Sequence, residues 1–128
     1  MTADLTYLTW TVALTIVQVL LASSGAMSQI ALPILAGNRE APVEGRGWVG
    51  RAQRAHRNML ESLVLFTALV LVAHVSGQAN AMTALGAALF FYSRLAYLVV
   101  YLAGIPWLRT VVWCVSIVGL VMILLQLV

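Results

Sequence analysis

Four stretches of this chain stay apolar for longer than a soluble core helix requires, and short polar breaks divide them. Leu5 to Ala36 runs almost without charge, interrupted only by small or weakly polar side chains. That exceeds the roughly 20 apolar residues that cross a bilayer, so one long first helix over 5–36 is predicted, tilted or projecting past the membrane. The small residues Ala22-Ser23-Ser24-Gly25-Ala26 within it suit close approach by another helix. Gly37 to Gly50 (GNREAPVEGRGWVG) is a loop, with Trp48 placed to anchor at the headgroups. A second helix follows over about 49–76, then a turn at Gly77-Gln78-Ala79-Asn80 with Asn80 as N-cap, then a third helix over 81–103. Gly104-Ile105-Pro106 breaks the chain before a fourth helix over 106–128, glycine stopping one helix and proline opening the next. Short connections make neighbours antiparallel. The expectation is all-α: a single four-helix transmembrane domain, 1–128, forming an antiparallel bundle.

One stretch departs from the apolar pattern. Arg51-Ala52-Gln53-Arg54-Ala55-His56-Arg57-Asn58-Met59-Leu60-Glu61 opens the second helix. At about 100° per residue, Arg51, Arg54, Asn58 and Glu61 share one stripe, His56 points away and Arg57 sits on the edge. A carboxylate three turns into a membrane helix needs partners. The third helix offers them: Arg94, Tyr97 and Tyr101 recur at i, i+3, i+7. Glu61 lies eleven residues after Gly50 and Arg94 ten before Gly104, so both sit about 15 Å from the same face. By the same count Asn58 is level with Tyr97, and Arg54 with Tyr101.

Charge sets the orientation. The chain has 62% hydrophobic and 9% charged residues, and its seven basic residues are all arginine. Arg39, Arg46, Arg51, Arg54 and Arg57 lie at the first connection and Arg109 just after the third turn, whereas the other end has Asp4 and His74. The positive-inside rule puts both arginine-rich connections in the cytoplasm and both termini outside. So sparse a basic balance excludes nucleic-acid binding. The N-terminus carries no basic residue, so the first segment is expected to stay as a helix and not to be cleaved as a signal. The lone Cys114 forms no intrachain disulfide and reads as a buried structural thiol.

Two readings of the stripes stand at this point. Glu61 and Arg94 form a structural ion pair, or the whole set lines a basic pocket open to the cytoplasm. The pocket reading accounts for Arg54, Asn58, Tyr97, Tyr101 and Arg109 as well. Its excess of guanidinium over carboxylate calls for an anionic ligand, since arginine grips carboxylates through two parallel hydrogen bonds. Glu61 suits an ammonium on the same molecule, so a small zwitterionic peptide with extra carboxylates fits, and a lipid headgroup is the other class. Arg109 either anchors the topology or stabilises a thiolate, with the Thr110 hydroxyl as a hydrogen-bond donor to the sulfur.

The string RAQRAHRNMLE, then Arg94-x-x-Tyr97-x-x-x-Tyr101 and Gly104-Ile105-Pro106-Trp107-Leu108-Arg109-Thr110, resembles the MAPEG family, membrane-associated proteins in eicosanoid and glutathione metabolism. The likeness, from about Gln29 to the end, is greatest to the short bacterial members. It implies a homotrimer in the bacterial inner membrane, with glutathione as co-substrate between neighbouring subunits and no metal. Carried over by position, Arg54, His56, Arg57, Asn58 and Glu61 contact glutathione from the second helix, and Arg94, Tyr97 and Tyr101 from the third. Arg109 matches the family's thiolate-stabilising arginine, and Thr110 stands where some members have serine. The basic residue that eicosanoid-making members carry on their first helix has no counterpart here. The function this implies is a glutathione-dependent transferase or peroxidase acting on hydrophobic electrophiles or lipid hydroperoxides among the membrane lipids. The alternative is a non-catalytic lipid- or anion-binding protein on the same scaffold. A transporter is a third reading, but one polar cluster open to one face supplies no pathway.

Overall fold

The computed structural model describes residues 1–39 and 44–128; Glu40 and Pro42 of the first connection lie outside the described residues. Helix α1 spans Ala3–Gln29, the short α2 Leu32–Ala36, α3 Trp48–Val75, α4 Ala81–Ala103 and α5 Pro106–Leu127. The four long helices are each long and apolar enough to cross a membrane. They make an antiparallel bundle in which α3 and α4 form the central pair, α1 packing on both and α5 on both.

The single long helix expected over 5–36 is in fact two. Ile30 turns extended at φ −122°, and α2 starts with Pro33 in its first turn. A proline ring clashes with the carbonyl four residues back and supplies no N–H. For Pro33 that carbonyl belongs to Gln29, the last residue of α1. Hydropathy is blind to this break because Pro33 sits among apolar residues.

Each long helix buries a narrow face. On α1 the buried positions Asp4, Leu8, Thr11, Thr15, Gln18, Ala22 and Gly25 alternate by four and three, the spacing of a left-handed coiled coil. Much of this seam is polar. Thr11 and Thr15 satisfy their hydroxyls on their own helix, donating to the Tyr7 and Thr11 carbonyls at 2.7 and 2.8 Å. On α4, Thr83, Ala87, Phe90, Arg94, Tyr97 and Tyr101 follow the same alternation.

Two apolar clusters stack along the bundle. Phe66 and Phe90 stack with ring centroids 4.2 Å apart, among Leu8, Val70, Ala87, Leu120 and Ile123. Nearer the arginine-rich end, Leu14, Ala55, Met59, Leu98 and the two tyrosines Tyr97 and Tyr101 form the second cluster. The α4–α5 pair is the most extensively packed. It closes at a glycine crossing, where a Cβ on Gly86 would lie 2.7 Å from the Gly119 carbonyl oxygen, and one on Gly119 as close to that of Gly86. Asn80 caps α4 through a reciprocal capping box with Thr83, and Gly104 ends it in the left-handed conformation at φ 78°. The turn to Pro106 is thereby fixed, and it sets Arg109 beside Tyr101.

Candidate functional site

The site is assembled from the first turns of α3, the last turns of α4 and the first turns of α5. Arg51 donates through Nε to the Leu102 carbonyl at 3.1 Å, and Arg54 through Nε to the Tyr101 hydroxyl at 3.2 Å. One turn deeper, Asn58 and Tyr97 face a common cavity of about 310 Å³, lined also by Tyr101, Arg109, Thr110 and Trp113. A smaller cavity of about 180 Å³ adjoins it through shared Tyr101 and Arg109, and is lined by Arg51, Arg54 and the Gly104–Pro106 turn. Two of the three rungs inferred from depth therefore meet, Arg54 with Tyr101 and Asn58 with Tyr97.

The third does not. Glu61 is exposed, Arg94 is fully buried, and no ion pair joins them among the described residues. The depth count is sound, but depth leaves the facing angle open. Arg94 lies on the seam that α4 turns into the bundle. On α3 the inward seam is Ala52, Ala55, Met59 and Ser62, and Glu61 sits just off it. Arg94 instead lays its guanidinium over the Tyr97 ring, 4.2 Å from the centroid. None of its side-chain nitrogens has a hydrogen-bond partner.

Arg109 is held in a similar way. Its guanidinium stands 4.8 Å from the centroid of Tyr101, whose ring meets Tyr97 edge to face at 5.5 Å. No carboxylate pairs with it among the described residues. An arginine pinned by its flat face keeps its N–H edge for an anion. The Asn58 carboxamide oxygen is buried without a partner and awaits a donor. The Thr110 hydroxyl donates to the Pro106 carbonyl at 3.3 Å, within the helix.

His56 and Arg57 are not part of this cavity. They line a separate one of about 450 Å³ on the opposite side of α3, walled by Ala22, Ala26 and Met27 of α1 and by α2. His56 Nδ1 is buried there without a partner. The sequence-named residues thus fall on two faces of one helix, with Glu61 exposed.

Two residues of the site were not anticipated. Trp113 lines the larger cavity one turn beyond Arg109, a placement the i, i+4 spacing on α5 would have revealed. Glu44 receives a hydrogen bond from Arg54 Nη1; it lies in a loop, where no periodicity tells which way a side chain points. Cys114 is exposed, not buried as expected, because it faces away from the α4 contact around Ser116, Gly119 and Leu120. Among the described residues no group of three or more His, Cys, Asp or Glu side chains gathers that would hold a metal.

A four-helix integral membrane bundle with a basic, tyrosine-lined cavity at one end is the class these features define. The sequence model of the MAPEG family matches residues 5–128, and the chain belongs to the MAPEG family. No curated protein and no solved structure matches it.

Proposed function

We propose that the chain is a membrane-bound glutathione-dependent transferase or peroxidase acting on hydrophobic electrophiles or lipid hydroperoxides. Members of its family include glutathione transferases and peroxidases, which supports the reading. The observation that carries it is Arg109: a cation with no carboxylate partner among the described residues, clamped on Tyr101 and lining the cavity of Asn58, Tyr97 and Thr110. A guanidinium so placed favours a thiolate over a thiol.

The residues present fit glutathione, which has two carboxylates, an ammonium, two peptide groups and a thiol. Arg54 and Arg109, which line the two adjoining cavities, supply donors for anionic groups, the unpartnered Asn58 oxygen accepts from an N–H, and Arg94, enclosed behind Tyr97, is assigned to the ligand by the family pattern alone. When bound, glutathione supplies the sulfur nucleophile. Arg109 holds that sulfur ionised, Tyr97 and Tyr101 fix the guanidiniums of Arg94 and Arg109, and Trp113 closes the wall on α5. His56, Arg57 and Glu61 serve through a homotrimer, in which the face bearing the first two meets the Arg109 cavity of the next subunit. The separation of those two faces on α3 supports that arrangement.

The test is ultraviolet thiolate absorbance of glutathione mixed with purified, detergent-solubilised protein, wild type beside Arg109→Ala. A thiolate signal in the wild type that disappears in the variant, with glutathione still bound, is expected. Binding without a thiolate signal in the wild type would replace this reading by that of a non-catalytic anion-binding protein. A conjugation rate unchanged in Arg109→Ala would sink the mechanism.

A further inference from the structure

Arg54 is shared between the cavity and the loop before α3. Its Nε donates to the Tyr101 hydroxyl at 3.2 Å, while its Nη1 donates to Glu44 Oε1. The same carboxylate oxygen lies 3.8 Å from Arg57 Nη2. One acid thus faces two of the arginines that the glutathione reading assigns to the ligand.

The backbone that carries this acid is held in place. Gly45, directly after Glu44, donates its N–H to Gln53 Oε1 at 2.7 Å. The next residue is held through both of its main-chain groups by Gln29: the Arg46 N–H donates to Gln29 Oε1 at 2.6 Å, and Gln29 Nε2 donates to the Arg46 carbonyl at 3.0 Å. A Cβ on Gly50 would come within 2.5 Å of the Gly45 carbonyl oxygen, so this segment lies flat on the first turn of α3. Glu44 is therefore delivered to Arg54 as a tethered carboxylate, at an effective concentration that free anions do not match.

We infer that Glu44 is a specificity-determining residue: it occupies, from within the chain, the seat on Arg54 that a ligand carboxylate takes. A simple monoanion brings one contact and competes poorly with a tethered acid. A ligand already gripped elsewhere in the cavity presents its carboxylate to Arg54 intramolecularly too, and displaces Glu44. The pair is half exposed, with side-chain exposures of 43% for Arg54 and 45% for Glu44. Its displacement therefore costs little, and the discrimination is a moderate one. This inference rests on the glutathione reading above for the identity of the ligand.

The experiment compares the wild type with Glu44→Gln, which keeps the side-chain size and removes the charge. Two measurements are made at fixed ionic strength. In the first, Glu44→Gln binds glutathione about threefold more tightly, the effect an exposed ion pair commands. The KM for glutathione falls by the same factor while kcat and thiolate per bound glutathione are unchanged. Equal or weaker binding by a variant of unchanged Tm would overturn the inference. The second measurement needs no glutathione: the rate at which phenylglyoxal modifies Arg54, read by mass spectrometry of its peptide. That rate rises severalfold in Glu44→Gln if the acid covers Arg54 in solution, and an unchanged rate would overturn the inference. If neither form binds glutathione, the proposed function fails by itself, and the phenylglyoxal rate alone decides the role of Glu44.

Discussion

A guanidinium enclosed by its own subunit and touching no acid is costly in a membrane helix, and Arg94 is such a group. Its stacking on Tyr97 recovers part of that cost, on the order of 2 kcal/mol for a desolvated cation–π contact. Replacing an uncompensated buried charge by an apolar side chain of similar length relieves the remainder. Arg94→Met is expected to leave the thermal midpoint of the ligand-free protein unchanged or raised, while glutathione affinity falls at least tenfold. Thermal unfolding and glutathione titration in one detergent check both halves. Tyr101→Phe separates two roles of one ring, removing the acceptor for Arg54 but keeping the face under Arg109. It should weaken glutathione binding by about 1 kcal/mol, the net worth of one hydrogen bond, with thiolate per bound glutathione unchanged. At this scale the two polar stripes were legible because helical spacing and equal depth are readable from residue numbers. The non-pairing of Glu61 with Arg94 was not, since the turning of each helix about its own axis is set by packing partners. Glu44 was illegible for another reason: a loop has no period.

Among the elements, α4 and α5 were the most legible, because their limits are written in local chemistry. Asn80 with Thr83 caps one helix, Gly104 stops it and Pro106 starts the next. Asn80→Ala removes the capping box and should cost about 1 kcal/mol of stability, read as a lower thermal midpoint in detergent. Gly119→Val forces a branched side chain against the Gly86 carbonyl and the Phe90 backbone. That overpacking is expected to cost about 2 kcal/mol, by the same measurement. The break between α1 and α2 was obscured because Pro33 is uncharged and sits within an apolar run. Sequence alone also hid the polar seam of α1, where Asp4, Thr11, Thr15 and Gln18 all turn inward. A stripe of threonines spaced by four can bond its own backbone and face either way, so only packing decides.

For the whole molecule, the membrane fold class followed from four long apolar segments and their short connections, and the structure has that architecture. The arrangement of subunits and the direction of insertion belong to predictions. The arginines at the Gly104–Pro106 end predict that end to be cytoplasmic. A periplasmic reporter enzyme fused after Val128 should be active, and a cytoplasm-dependent fluorescent one dark. If neighbouring subunits share each site, co-expression of His56→Ala with Arg109→Ala should restore activity above either variant alone. A site contained in one subunit would give no restoration.

The glycine crossing of α4 and α5 has one more consequence. Gly86 stands fifteen residues from Tyr101, and Gly119 ten from Arg109, so the crossing lies roughly 15–22 Å along the helix axes from the cavity. The crossing sets how closely the two helices pack at that end and the Gly104–Pro106 turn joins them at the other, so the spacing of Tyr101 and Arg109 is held from both ends of the pair. Inactive variants collected without regard to position will therefore include some at the crossing. Their chemical groups will be intact and only the spacing wrong, so lost activity by itself does not place a residue at the point of reaction.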